Sequence, residues 1–97
     1  MFSSVNRDTF ASMPSLARLS LASNRIAAVE AGSFDPLHSL ESLDLSRNAL
    51  SRLHRDTFSK TGRLVKVDLS HNRLKTVAGV FSNLYALEEI RDTIQFP

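Results

Sequence analysis

The chain has 97 residues, 42% of them hydrophobic and 23% charged, with a formal net charge of +2. That is room for one folded domain, and the apolar fraction is too high for a disordered tail. There are no cysteines, which excludes a disulfide framework, a zinc finger and a thiol nucleophile. An apolar run of about 18 residues, the minimum for a membrane span, is missing, so no span is expected in this chain. Residues 1–8 lack the apolar stretch of a secretory signal.

In chain order, residues 1–15 read as the tail of a unit that then recurs. Phe2, Val5, Phe10 and Met13 are its apolar marks. From residue 16 the unit runs Leu16, Leu19, Leu21, Asn24, Ile26, Val29, Phe34, Leu37. From residue 40 it runs Leu40, Leu43, Leu45, Asn48, Leu50, Leu53, Phe58, with Thr61 where a leucine stood before. From residue 64 it runs Leu64, Val67, Leu69, Asn72, Leu74, Val77, Phe81, Leu84. The step is 24 residues as far as Val77 and 23 from Phe81 on, as in Phe58 to Phe81 and Leu64 to Leu87. Leu87 and Ile90 open a last unit, but Asp92 falls in its third inward slot and Gln95 stands where asparagine would be. The expected organisation is one domain: a partial repeat at 1–15, repeats at 16–39, 40–63 and 64–86, and a degenerate segment at 87–97.

The pattern has a physical meaning. In Leu-x-Leu both leucines point to one side, as strand residues do. A repeat of this size has too little apolar surface to fold alone, so neighbours must cover it, one short strand stacking in parallel on the next. The asparagine falls at the turn out of the strand, where its amide can donate to one backbone carbonyl and accept from another N–H. Asn24, Asn48 and Asn72 are thus expected to form a ladder that satisfies turn groups. Phe10, Phe34, Phe58 and Phe81 are expected to stack as a spine on the opposite side. All three glycines, with Pro14 and Pro36, fall between strands. Thr61 should leave its segment less well packed, and the shortened loop from Val77 to Phe81 should be absorbed away from the strands.

Written as L-x-x-L-x-L-x-x-N-x-(I/L)-x-x-(V/L), the unit resembles the leucine-rich repeat. The 24-residue step with its phenylalanine is similar to the typical extracellular subfamily, found in Toll-like receptor and chaoptin-like ectodomains. The resemblance covers residues 2 to about 91. It implies an α/β solenoid, a right-handed arc with a short parallel sheet on the concave side and an irregular or 3-10 convex side. It also implies a non-enzymatic protein–protein interaction module of a cell-surface or secreted receptor or adhesion protein. The alternatives are purely structural spacer repeats or an intracellular adaptor. The missing start of the first unit and the absent cysteine-rich flanks suggest a fragment of a longer ectodomain. The rival is a small protein that self-associates through uncapped ends. At the far end the chain is expected to leave the stack at Asp92, because an unpaired buried carboxylate is costly, and Arg91, Asp92 and Pro97 are expected to blunt the edge strand.

In such a repeat the strand's outward residues line the concave face. They are Arg18, Ser20, Ser42, Asp44, Lys66, Asp68, Glu89 and Arg91, joined at the strand exits by Arg47 and His71. This is the candidate partner-binding surface. Asp44 and Asp68 should be cross-strand neighbours about 5 Å apart, mildly repulsive unless a cation or a partner stands near. The simpler reading, favoured here, is that both follow the family's Leu-Asp-Leu-Ser habit and are solvated. Between residues 47 and 75 eight lysines or arginines face two acids, a net of +6. Within that stretch Arg52, His54, Arg55, Arg73 and Lys75 follow the strands and should share one flank. A basic flank suits an acidic protein or a sulfated glycan, or is an ordinary solvated edge. Nucleic acid is not expected, because no aromatics are interleaved with the charge. Ser70 and His71 near Asp68 invite a triad reading, but Ser70 belongs to a column with Ser46, and no catalytic role is expected. The histidines at 38, 54 and 71 are scattered, so neither a metal nor a cofactor is implied.

Overall fold

A computed structural model of the chain describes residues 4–75, 79–81 and 84–91, with side chains through Glu88. The expectations for Phe2, Val77, Asp92, Gln95 and Pro97 lie outside the described residues.

Among the described residues there are six short strands: β1 (Ser4–Val5), β2 (Arg18–Ser20), β3 (Ala28–Val29), β4 (Ser42–Asp44), β5 (Lys66–Asp68) and β6 (Glu89–Arg91). One sheet runs β2-β4-β5-β6, all parallel, with Arg18 opposite Ser42, Ser42 opposite Lys66 and Lys66 opposite Glu89. Parallel neighbours need a long connection, and the 24-residue repeat supplies it through turns. No helix occurs among the described residues, so the helical content implied by an α/β label is a correction. The repeat spends its residues on turns because each unit returns to the sheet through a segment closed by i to i+3 bonds. Examples are the Leu37 N–H to the Phe34 carbonyl and the Thr57 N–H to the His54 carbonyl.

The core follows the columns. Leu21, Ile26, Leu40, Leu43, Leu45, Leu50, Leu64, Val67, Leu69 and Leu74 are buried. Behind the sheet the four phenylalanines stack with ring centroids 5.9, 6.0 and 6.0 Å apart, an offset-stacked range for aromatic pairs. The last of these spacings matches the others although Phe81 follows Phe58 by one residue fewer. The spine thus keeps its spacing across the shorter repeat. Thr61 is fully buried and donates its hydroxyl to the Phe58 carbonyl. It corrects the expectation of a poorly packed third segment. The loosely covered residue of that column is Met13, at 47% exposure.

The asparagines tie turn to turn. Asn48 donates to the Leu45 and Ser46 carbonyls of its own repeat and to the Leu21 carbonyl of the preceding one. Its Oδ1 accepts from the Ile26 N–H. Asn72 does the same one step on, to Leu45, Leu69 and Ser70, and accepts from the Leu50 N–H. Each side chain thus satisfies backbone groups of two repeats at once. Asn72 is buried, whereas Asn24 and Asn48 are half-buried.

Two features were not anticipated. The first is a two-stranded parallel sheet, β1 with β3, in which Val5 pairs with Val29. Both valines are buried while Ser4 and Ala28 face out, so the repeat at 16–39 makes a second strand-like excursion after its asparagine, against residues 4–5. The second is backbone geometry. Ser23, Arg47 and His71, each directly before the column asparagine, have φ of 59°, 57° and 58°. Side chains other than glycine rarely adopt this left-handed region, and the asparagine bonds on either side hold it.

Candidate functional site

The outward residues of the main sheet form two rows. Arg18, Ser42, Lys66 and Glu89 occupy one; Ser20, Asp44, Asp68 and Arg91 occupy the other. Arg18, Ser20 and Lys66 are exposed, and Ser42, Asp44 and Asp68 are half-buried. The side chains of Glu89 and Arg91 lie outside the described residues. A shallow cleft of about 340 Å³ opens along the first row, lined by Arg18, Glu41, Ser42, Val65 and Lys66.

The second row behaves differently from a recognition patch. Asp44 Oδ1 accepts the Ser46 N–H at 2.9 Å, and Asp68 Oδ1 accepts the Ser70 N–H at 3.0 Å. The Ser70 hydroxyl donates to the same Asp68 oxygen at 2.6 Å. These are Asx turns that close the strand exit. A carboxylate accepting backbone N–H groups is part of the fold, which explains the Asp-x-Ser pattern better than free solvation does. The same bond disposes of the triad geometry, since the Ser70 hydroxyl is committed to Asp68 rather than to a histidine.

Arg47 and His71 project from the left-handed residues and are exposed. They are neighbours, as the Arg47 N–H to the Ser70 carbonyl bond at 2.9 Å fixes. The backbone thus aims a pair of side chains outward at the rim of the sheet.

Arg52, His54, Arg55, Arg73 and Lys75 are all exposed. Arg52 and His54 line one cleft of about 400 Å³ with Ala27, Ala28, Val29, Ser51 and Leu53. Arg55 lies beside the turn of the next repeat, where a Cβ on Gly79 would come 4.0 Å from its own Cβ. His54 Nδ1 accepts the Asp56 N–H at 3.1 Å. Within the basic flank, Arg52 and His54 share this concavity.

These features define a stack of parallel-strand repeats held by buried leucines, an aromatic spine and an asparagine ladder. The leucine-rich repeat family model matches residues 2–50 and 39–91, and the chain belongs to that family. Such domains generally mediate protein–protein interaction and are typically non-enzymatic. No curated protein sequence matches the chain.

Proposed function

We propose that this chain is a recognition module that presents the first row of its main sheet to a protein partner, within a cell-surface or secreted receptor or adhesion protein. The observation that carries the reading is the row Arg18–Ser42–Lys66, held in register on paired backbone, with a cleft along it. Side chains on a rigid sheet lose little entropy on binding. The second row contributes less, because Asp44 and Asp68 already serve their own turns.

Curvature supports the same face. Neighbouring strands lie about 4.8 Å apart, whereas the phenylalanine rings on the other side lie 6.0 Å apart. A spacing wider at the spine than at the sheet favours a bend with the sheet inside, in keeping with the arc that the family resemblance implies. The face is small. Four strands offer an area of order 300 Å², and a standard interface takes about 800 Å² per partner. The face is one stretch of a longer surface.

The test places a photo-crosslinking amino acid at Ser42, with a control at Gly62, where an added Cβ meets nothing within 4 Å. A partner captured in cells from Ser42 and not from Gly62, and lost with Lys66→Glu, supports the reading. Equal capture from both positions, or none from Ser42, favours spacer repeats.

A further inference from the structure

Backbone bonding between the repeat at 16–39 and the repeat at 40–63 is continuous along the sheet and through the asparagine turn. It runs from the Ala17 carbonyl, which accepts Glu41 and Ser42, to the Ile26 carbonyl, which accepts Ala49. Then it stops. One step earlier the flank is closed by β1 with β3 and by the Glu30 N–H to the Val5 carbonyl at 2.9 Å. The bond that would continue this ladder, from the His54 N–H to the Val29 carbonyl, is not made, and no backbone bond joins residues 27–30 to 51–54. At that break lies the cleft of about 400 Å³.

Its walls have distinct chemistry. Ala27 and Ala28 on one lip stand in register with Ser51 and Arg52 on the other, so the chain steps there from small apolar side chains to a large cation. Leu53, half-buried, and Val29, buried, form the apolar base. His54 adds a donor, because Nδ1 accepts the Asp56 N–H and the ring proton is left on Nε2. The Asp56 carboxylate stands 3.7 Å from the same Nδ1, so Arg52 is the cation on which an anion would depend. The surrounding stretch from 47 to 75 carries a net of +6, which attracts acidic partners over a longer range.

We propose that this open step is a second docking site, distinct from the main sheet face, and that it takes an extended acidic peptide segment with aliphatic side chains between its carboxylates. The unmade ladder bonds leave backbone groups for the peptide main chain, as in strand addition. The alanine lip and the Leu53–Val29 base accept an aliphatic side chain, and Arg52 pairs with a carboxylate in the two-pronged geometry that guanidinium groups favour. A sulfated glycan would match the charge and leave the apolar floor uncovered, so the peptide is the better fit.

The probe is a short blocked peptide of alternating glutamate and leucine, titrated into the isotope-labelled chain and read by amide chemical shifts. The expected result is perturbation centred on Ala28, Val29, Leu53 and His54. Glutamine in place of glutamate should abolish it, and Arg52→Glu should weaken it by about tenfold. Because Arg52 is exposed, that variant keeps its folded spectrum. Ala28→Leu, which enlarges the lip and crowds the cleft, should block the peptide, while Lys66→Glu on the sheet face should leave it unchanged. Shifts centred on the main sheet, equal binding of the glutamine peptide, or no binding at all would overturn the proposal. So would a heparin-derived oligosaccharide that perturbs the same amides where the peptide does not.

Discussion

The two flank steps use the same sequence columns and end differently. At the first step, from residues 4–9 to 28–33, three residue types close the gap. Ser33 Oγ reaches the buried Val5 carbonyl at 3.2 Å and the Glu30 carbonyl at 2.6 Å. Gly32, with φ of 87°, has no Cβ, and one placed there would come 3.4 Å from Arg7 Nε. Arg7 lies across it and donates to the Ala31 carbonyl at 3.0 Å. At the second step each residue has a counterpart 24 positions on that cannot do this. Thr57 Oγ1 bonds only the His54 carbonyl of its own turn. Asp56 replaces the glycine, and Ala31 stands where Arg7 stood, too short to cross. The lesson is that the hydrophobic columns set the stack, while a few polar positions decide whether each step is sealed.

Both steps share the phenylalanine spine, so its central ring should matter most. Phe34 is fully buried between Phe10 and Phe58. Phe34→Ala should cost about 3–5 kcal/mol through lost burial and a cavity, a large part of the stability of a domain this size. Urea unfolding checks this. A loss below about 2 kcal/mol would mean that the steps are held mainly by their polar closures.

Next comes the closure that both the main sheet and the flank depend on. Asn48→Ala removes donors to Leu21, Leu45 and Ser46 and the acceptor for Ile26. With turn groups left unpaired, the expected cost is about 1–3 kcal/mol, or a melt lowered by roughly 4–8 °C per kcal/mol. A shift of only a degree or so would contradict the ladder.

Much of this is legible in the sequence, for a physical reason. A column such as Leu43 and Leu45 reports side-chain direction, and direction fixes strand register, so the outward rows could be read from the spacing. The asparagine and phenylalanine columns were equally plain because each is a single residue type repeated in register. The Asx turns of Asp44 and Asp68 were half visible: Asp-x-Ser is the right spacing, but a carboxylate beside an exposed strand reads first as solvated. The left-handed residues were hidden, because Ser23, Arg47 and His71 carry no glycine to announce them. Nor could the difference between flank steps be seen. It rests on whether a hydroxyl or a guanidinium reaches the next repeat, and the one-dimensional pattern treats Ser33 and Thr57 alike.

The sealed step can be opened selectively. Ser33 is buried, and its hydroxyl is the part of the seal withdrawn from water. Ser33→Ala should cost about 1 kcal/mol, the value of a buried hydrogen bond whose carbonyl partner keeps another donor. The Glu30 N–H is that other donor, so its hydrogen exchange should quicken toward the rate of the His54 amide at the open step. Unchanged protection at Glu30 would show that β1 and β3 hold the flank without Ser33.

The smallest effect is expected from the most visible contact. Arg7 Nε lies 3.0 Å from the Ala31 carbonyl and 3.3 Å from Glu30 Oε1, yet it carries one hydrogen and cannot serve both acceptors fully. The side chains of Arg7 and Glu30 are 70% and 54% exposed, so water and salt screen the pair, and holding two long side chains costs entropy. Arg7→Ala should therefore lower stability by less than about 0.5 kcal/mol, with little added loss at high salt. Set beside Ser33→Ala, this ranks a buried neutral hydroxyl above an exposed ion pair in sealing the same step. A loss for Arg7→Ala as large as that for Ser33→Ala, and abolished by salt, would reverse the ranking and make the seal electrostatic.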